Sequence, residues 1–183
     1  MVSIKTERLL LREFVDSDLP AVHEYAQDKE TTKFLDWGPN SLRETTVFLT
    51  ESVGFQQEQP RNTFDLAVTV SATTKLIGGC SVAILDHDKR IAGLGYILNR
   101  SAWGIGYASE AAQALLQLAF DDLTMQKVMA SCDSENKGSE NVMIKLGMLK
   151  EAHLKRDKFM KGKYRDTLVY SITRSDWHSR NHR

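Results

Sequence analysis

The sequence predicts an α+β fold, a mixed and mostly antiparallel sheet of six to seven strands flanked by about four helices. Three observations point there. Apolar runs at residues 64–70 and 76–85, separated by a turn at 71–74, read as an antiparallel hairpin. A strand, a glycine-punctuated loop and an amphipathic helix then fill residues 90–120 and lead into a buried strand at 127–132, a strand-helix-strand crossover. Two more apolar stretches, 148–153 and 164–173, close the chain as a second hairpin joined by a basic segment. The 183 residues fit a single domain, expected over 1–183, with a core large enough to fold unaided.

In chain order, Leu9, Leu11 and Phe14 alternate with Leu10, Arg12 and Glu13 as a first strand. Asp16 and Asp18-Leu19-Pro20 mark a helix start, and Leu19, Val22, Tyr25 and Ala26 supply its buried stripe. Residues 31–38 are irregular, with Trp37-Gly38-Pro39 as a turn. Ser41 with Glu44 three residues on forms a capping box for a second helix carrying Val47, Phe48 and Val53. Gly78-Gly79 inside a strand predicts a bulge or a close backbone approach. A polar loop at 133–138 precedes a short helix at 140–146, stopped by Gly147.

Composition narrows the class. Cys80 and Cys132 lie in apolar contexts without metal-ligand spacing, so two buried free thiols are expected, and no metal site. No apolar run is long enough to cross a membrane, and the chain opens on a charged strand, which predicts a cytoplasmic protein without a membrane partner. The 24 basic and 24 acidic residues cancel, yet the segment from Lys150 onward is net +6 and the first 149 residues net −6. That basic segment lacks interleaved aromatics, so a solvated surface or a wall near a phosphate ligand ranks above nucleic acid, and no nucleic-acid partner is expected.

The organising stretch is residues 95–120. Ala108, Ala112, Leu115, Leu116 and Ala119 recur at helical spacing, with Ser109, Glu110, Gln113 and Gln117 on the other face. A helix start leaves amides unpartnered and carries partial positive charge. Gly104 and Gly106 strip away the side chains that would keep an anion off those amides, which makes the loop a candidate diphosphate seat, although spacing alone favours a tight turn with no ligand. A Walker lysine and the longer dinucleotide fingerprint are both absent.

Trp103-Gly104-Ile105-Gly106-Tyr107-Ala108-Ser109-Glu110-Ala111 resembles the pyrophosphate loop of the GNAT acetyltransferases, in particular their RimJ/RimL-like branch. Thr6-Glu7-Arg8-Leu9-Leu10-Leu11-Arg12 resembles that branch's opening strand, and Asn136-Lys137-Gly138-Ser139 with Lys145-Leu146-Gly147-Met148 resembles its later segment. The resemblance implies an N-acetyltransferase that moves an acetyl group from acetyl-CoA, as co-substrate, to a primary amine by direct attack. Its acceptor would be a protein N-terminal α-amine of the ribosomal-protein kind or, as runner-up, a small-molecule amine; the chain would be a monomer or homodimer. A non-catalytic acyl-CoA-binding module is the competing class.

The same resemblance implies strands that splay around the pantetheine arm, with backbone donors at Ile97, Leu98 and Asn99 and cofactor contacts from Trp103, Gly104, Ile105, Gly106, Tyr107, Ala108 and Asn136. Many relatives protonate the leaving thiolate with a tyrosine seven residues after the asparagine, where this chain has Met143. Ser139 stands where the branch carries a serine; it is the catalytic candidate and a cofactor contact, with helix capping as its alternative role. Asn136 has an Asx-turn as its alternative. Many relatives carry a glutamate as general base at the position of Gly93, and Asp65, Asp166 and His153 are substitutes. Phe34 and Trp37, together with Phe48, are candidate walls of the acceptor groove, each with core packing as the competing role.

Overall fold

A computed structural model describes residues 2–181; position 1 and positions 182–183 of the expected 1–183 domain lie outside the described residues. Its strands are β1 (Ser3–Lys5), β2 (Leu9–Glu13), β3 (Thr63–Val70), β4 (Leu76–Asp86), β5 (Ile91–Leu98), β6 (Lys127–Asp133), β7 (Leu149–Met160) and β8 (Lys163–Thr173). The helices are α1 (Leu19–Ala26), α2 (Leu42–Phe55), α3 (Tyr107–Gln117), α4 (Lys137–Lys145) and α5 (Arg174–Asn181). All strands join one sheet in the order β1-β2-β3-β4-β5-β6-β8-β7, antiparallel throughout except for β5 with β6.

The class is as expected, with one strand and one helix more. β1 is three residues long and alternates no apolar side chains, so periodicity gives no sign of it. α5 carries a single buried anchor, Trp177, whose ring lies 6.1 Å from that of Phe120. β7 runs through the segment expected as a basic connection. It forms because its backbone pairs with β8 as far as a two-residue turn at Lys161 and Gly162, both in the left-handed region at φ 48° and 82°.

The sheet is covered on both faces. On one, Ala111, Leu115 and Leu116 of α3 and Met143 of α4 pack on Leu66, Val82, Leu94 and Val128. Burying each such leucine is worth roughly 2 kcal/mol. On the other, Val22, Tyr25 and Ala26 of α1 and Leu49 of α2 pack with Phe14 on Ala67. Phe48 meets Phe14 edge-on at 5.9 Å and packs, partly buried, against this cluster. The Ser41–Glu44 capping box forms as expected, with the Glu44 amide donating to Ser41 Oγ at 3.3 Å and the Ser41 amide to Glu44 Oε2 at 2.7 Å. Gly78 plays both predicted parts. The β3–β4 register slips beside Gly78, and a Cβ on Gly78 would collide with the Ile97 carbonyl. Cys80 and Cys132 are buried free thiols, and no described helix is long and apolar enough to cross a membrane.

Candidate functional site

The parallel strands separate almost at once. β5 and β6 pair only at Ile91 with Lys127, Ala92 with Val128 and Gly93 with Met129, after which β5 runs on to Leu98 and β6 to Asp133 without meeting. The gap exposes one row of β5 backbone groups. The Asn99 amide donates to the Ile77 carbonyl at 2.7 Å, and hydrogen-bonded pairs alternate along an antiparallel ladder. Asn99 and Ile97 therefore commit their amides to β4, while Tyr96 and Leu98 face the gap. Indole Nε1 of Trp103 donates to the Leu98 carbonyl at 2.8 Å, which leaves the Leu98 N–H as the group directed at the cleft. Of the three expected backbone donors, Leu98 has the required direction; Ile97 and Asn99 support it from within the ladder.

At the mouth of the cleft, Asn99 starts a short 3₁₀ turn by accepting from the Ser101 amide at 3.1 Å, and its Nδ2 donates to Glu24 of α1 at 2.7 Å. Gly104 and Gly106 follow at φ 77° and 91°, a conformation that disfavours any other residue. A Cβ on Gly104 would have no neighbour within 4 Å, so that side of the loop is open. Gly106 is the N-cap of α3 and no side chain caps it, so the first amides of the helix, at Tyr107 and Ala108, keep their donor capacity.

The acidic residue in that first turn, Glu110, would oppose an anion if it stood alone. Instead Oε1 accepts from Thr6 Oγ1 at 2.6 Å and the Arg8 amide at 2.8 Å, and Oε2 accepts from Arg8 Nε at 2.7 Å. Partial burial works to raise the Glu110 pKa, but these bonds outweigh it and hold the carboxyl below its usual range. Arg8 also donates Nη1 to the Ile105 carbonyl at 3.0 Å and lies 4.7 Å from the centre of the Tyr107 ring. Its guanidinium thus fixes the loop from outside and cancels the charge at the helix start. Sequence reading placed Arg8 in a motif but gave it no role, because its partner lies 102 residues away.

Across the cleft, Asn136 is the cap of α4. Its Oδ1 accepts from the Ser139 amide at 3.1 Å, so Ser139 sits in the first helical turn and is not the cap. Ser139 Oγ lies 3.0 Å from Tyr96 Oη, which also donates to the Ser139 carbonyl at 3.1 Å. Tyr96 is the functional candidate that no sequence signal revealed. Burial pushes its phenol up to about 12, against an opposing contribution from Ser139, so the ring oxygen is protonated at neutral pH. Burial likewise pushes the Cys132 thiol up to about 11. Met143 is buried in the core.

The other face of β4 and β5 is floored by small residues. Asp65, Ser81 and Gly95 lie in register across three strands, and a Cβ on Gly95 would meet only Ser81 Oγ, at 3.3 Å. Asp65 accepts from Ser52 Oγ at 2.8 Å, and burial raises its pKa. Asp166 is instead engaged by Lys155 at 2.7 Å, His153 at 3.1 Å and the Arg156 amide at 2.9 Å. Phe34 and Trp37 sit on the loop at 31–38, which is tied to the β7–β8 turn. Lys161 Nζ donates to the carbonyls of Thr32 at 2.5 Å and Trp37 at 3.2 Å, and the Arg165 guanidinium lies 5.4 Å from the centre of the Phe34 ring. The structure thus gathers the donor-side candidates around the split between β5 and β6 and sets Phe34 and Trp37 apart, against the terminal hairpin. Among the described residues no cluster of His, Cys, Asp or Glu could hold a metal ion.

Comparison with known proteins agrees with this geometry. A profile of the acetyltransferase (GNAT) domain matches residues 8–149. The chain is 30% identical over 174 residues to the uncharacterized N-acetyltransferase YnaD of Bacillus subtilis (strain 168), covering 95% of this chain and 98% of the relative. An acetyltransferase (GNAT family) from Bacillus anthracis superposes with a TM-score of 0.85 at 29% identity, over 95% of this chain and 99% of that one. RimL, a ribosomal L7/L12 alpha-N-protein acetyltransferase in complex with coenzyme A, superposes at 0.84 with 21% identity, over 94% and 98%, and shares the fold.

Proposed function

The chain belongs to the GNAT acetyltransferase family, and on that premise we propose that it transfers the acetyl group of acetyl-CoA to a protein N-terminal α-amine, in the manner of the RimJ/RimL-like branch. The reading takes residues 1–183 as one catalytic domain. The observation that carries it is the bare helix start at the mouth of the β5–β6 split: Gly104 and Gly106 in the left-handed region, an uncapped α3 and open space where a Gly104 side chain would stand. That cradle fits a diphosphate, which is most strongly held where several amides converge without competing side chains. Trp103, Ile105, Tyr107 and Ala108 would frame it, with Asn136 holding Ser139 opposite.

Acetyl-CoA, when bound, supplies an acyl group already activated as a thioester. The chain's own residues do the rest. The Leu98 N–H would polarise the acyl carbonyl from the edge of β5. Ser139 Oγ would donate a hydrogen bond to the departing sulfur, whose thiol pKa of about 8.5 makes it a tolerable leaving group near neutrality. Asp65 is the carboxylate of choice for removing a proton from the acceptor through water. It shares the face on which Gly93 lacks a side chain, and it stands two strand spacings, about 9.5 Å, from Gly95. An α-amine, with pKa near 8, needs less help from such a base than a lysine amine near 10.4, which favours an N-terminal acceptor. A neighbour of this fold named for acetylating a ribosomal protein N-terminus adds support of the same kind.

The test is calorimetric titration with CoA, followed by release of free thiol from acetyl-CoA over a panel of N-terminal peptides and small amines. Acceleration by peptides is the expected result. Acceleration only by small amines would move the acceptor to the small-molecule class. CoA binding with no amine-dependent release would support the second reading, a non-catalytic acyl-CoA-binding module, which Gly93 and Met143, standing where many relatives carry a glutamate and a tyrosine, make conceivable.

A further inference from the structure

We propose that Tyr96 is the positioning residue for Ser139, a phenol that holds the serine hydroxyl ready and then backs it as sulfur acquires charge; this rests on the reading that Ser139 meets the departing sulfur. The geometry is a small hydrogen-bond network, in which the Ser139 side chain also meets the Cys132 thiol. Tyr96 Oη has one hydrogen and two acceptors in reach, the Ser139 carbonyl at 3.1 Å and Ser139 Oγ at 3.0 Å. Ser139 Oγ also has one hydrogen. With the phenol hydrogen on the carbonyl, the serine hydrogen is free to rest on Tyr96 Oη. If the serine hydrogen turns to an anionic sulfur, the phenol hydrogen can swing to Ser139 Oγ without movement of any heavy atom. The serine then donates while itself accepting, which polarises and strengthens its bond. No bond to oxygen breaks; the sulfur leaves as thiolate and takes its proton from solvent.

Three features make the pair more than packing. Tyr96 stands on the row of β5 whose backbone faces the split, two residues from the Leu98 amide, and its hydroxyl ties β5 to Ser139 of α4. Ser139 is freed for this task because Asn136 performs the capping. Met143, at the position where many relatives carry a proton-donating tyrosine, is buried with a side chain that has no proton to give, so any hydroxyl that stabilises the thiolate must come from another element. Of the other titratable groups beside Ser139, Cys132 is a buried thiol pushed up to about 11, and Glu140 is held down to about 2 by hydrogen bonds from Lys137, Tyr170 and Lys150, so it stays ionised across the titration.

The experiment needs no acceptor. CoA itself is bound to the protein, and the ionisation of its thiol is followed by ultraviolet thiolate absorbance against pH, with the CoA-free protein subtracted. In the wild type the bound thiol is expected to ionise about one unit below free CoA, a roughly tenfold gain in thiolate. Ser139→Ala should abolish that shift. Tyr96→Phe, which keeps the ring and removes only the hydroxyl, should lose about half of it at unchanged CoA affinity, and the double variant should match Ser139→Ala alone. A ring-fluorinated tyrosine at position 96, a stronger donor of the same shape, should enlarge the shift. If Ser139→Ala loses the shift while Tyr96→Phe keeps all of it, or if the two losses simply add, Tyr96 only packs and the inference falls while the role of Ser139 survives. If Ser139→Ala keeps the shift, both fall together.

Discussion

The loop at the mouth of the β5–β6 split and the loop set apart from it, at 31–38, are secured in different ways. On the donor side, the loop at 103–108 is fixed by its own glycine conformations, by Trp103 on the Leu98 carbonyl, and by an Arg8–Glu110–Thr6 lattice reaching over from the β1–β2 turn. The loop at 31–38, which we propose borders the acceptor, is held to the β7–β8 hairpin chiefly through Lys161 on two carbonyls and a Lys158–Asp36 pair at 3.5 Å. The first arrangement is over-determined, as a site for one invariant ligand should be. The second can be retuned by changing a few surface residues without disturbing the core, which suits the part of an enzyme that sets its acceptor.

If that contrast is right, damage to the donor side should be severe and general. Gly106→Val forces a branched side chain into φ 91° and drives it against the Arg8 guanidinium, where a Cβ alone would meet Nη2 at 3.3 Å, so the loop must deform and CoA binding measured by calorimetry should fall by at least a hundredfold. Arg8→Ala should weaken CoA by about tenfold, because Glu110 is left as an unpaired carboxylate in the first turn of α3. A Glu110→Gln exchange on top of it should recover part of the loss. An unchanged affinity in Arg8→Ala would break the claim that the lattice serves the seat.

On the acceptor face, Asp65→Asn should lower kcat/KM by about tenfold while leaving CoA affinity intact. It should also act on stability in the opposite direction. Burial raises the Asp65 pKa in the folded state, so its contribution is fully present below the unfolded carboxylate value and is lost as pH rises through the folded one. The asparagine variant should therefore melt higher at neutral pH, by about 2–4 °C, and gain nothing below pH of about 4. Equal gains at both pH values would remove desolvation as the cause. The smallest effect is expected for Lys161→Ala: a KM for the acceptor raised about threefold, since one of the two lost bonds, to the Trp37 carbonyl, is exposed, with CoA affinity unmoved.

The donor side could be read in the sequence because its chemistry is local. Two glycines, an uncapped helix and a stripe of alanines and leucines lie within one continuous stretch, and the structure sets them as expected. The Asn-x-x-Ser spacing was ambiguous for a physical reason: either residue can cap a helix, and the φ/ψ of Asn136, not the spacing, decides which one does. Tyr96 with Ser139 and Arg8 with Glu110 are 43 and 102 residues apart, and no periodicity connects them. β7 reads as a charged connection because it lies at the sheet edge with nearly every side chain in solvent; its strand character comes from the β8 ladder alone.

Three rungs join β5 to β6, and everything that follows in the sheet, β6 with β8 and β7, hangs from them and from the helices that bridge the line. The sheet is in effect two blades along a perforated seam, and a molecule lying across the opening would act as a rivet. Hydrogen exchange should then find two cooperative blocks opening separately in the free protein, one built on β1 to β5 and one on β6 to β8, and a single block once the seam is bridged.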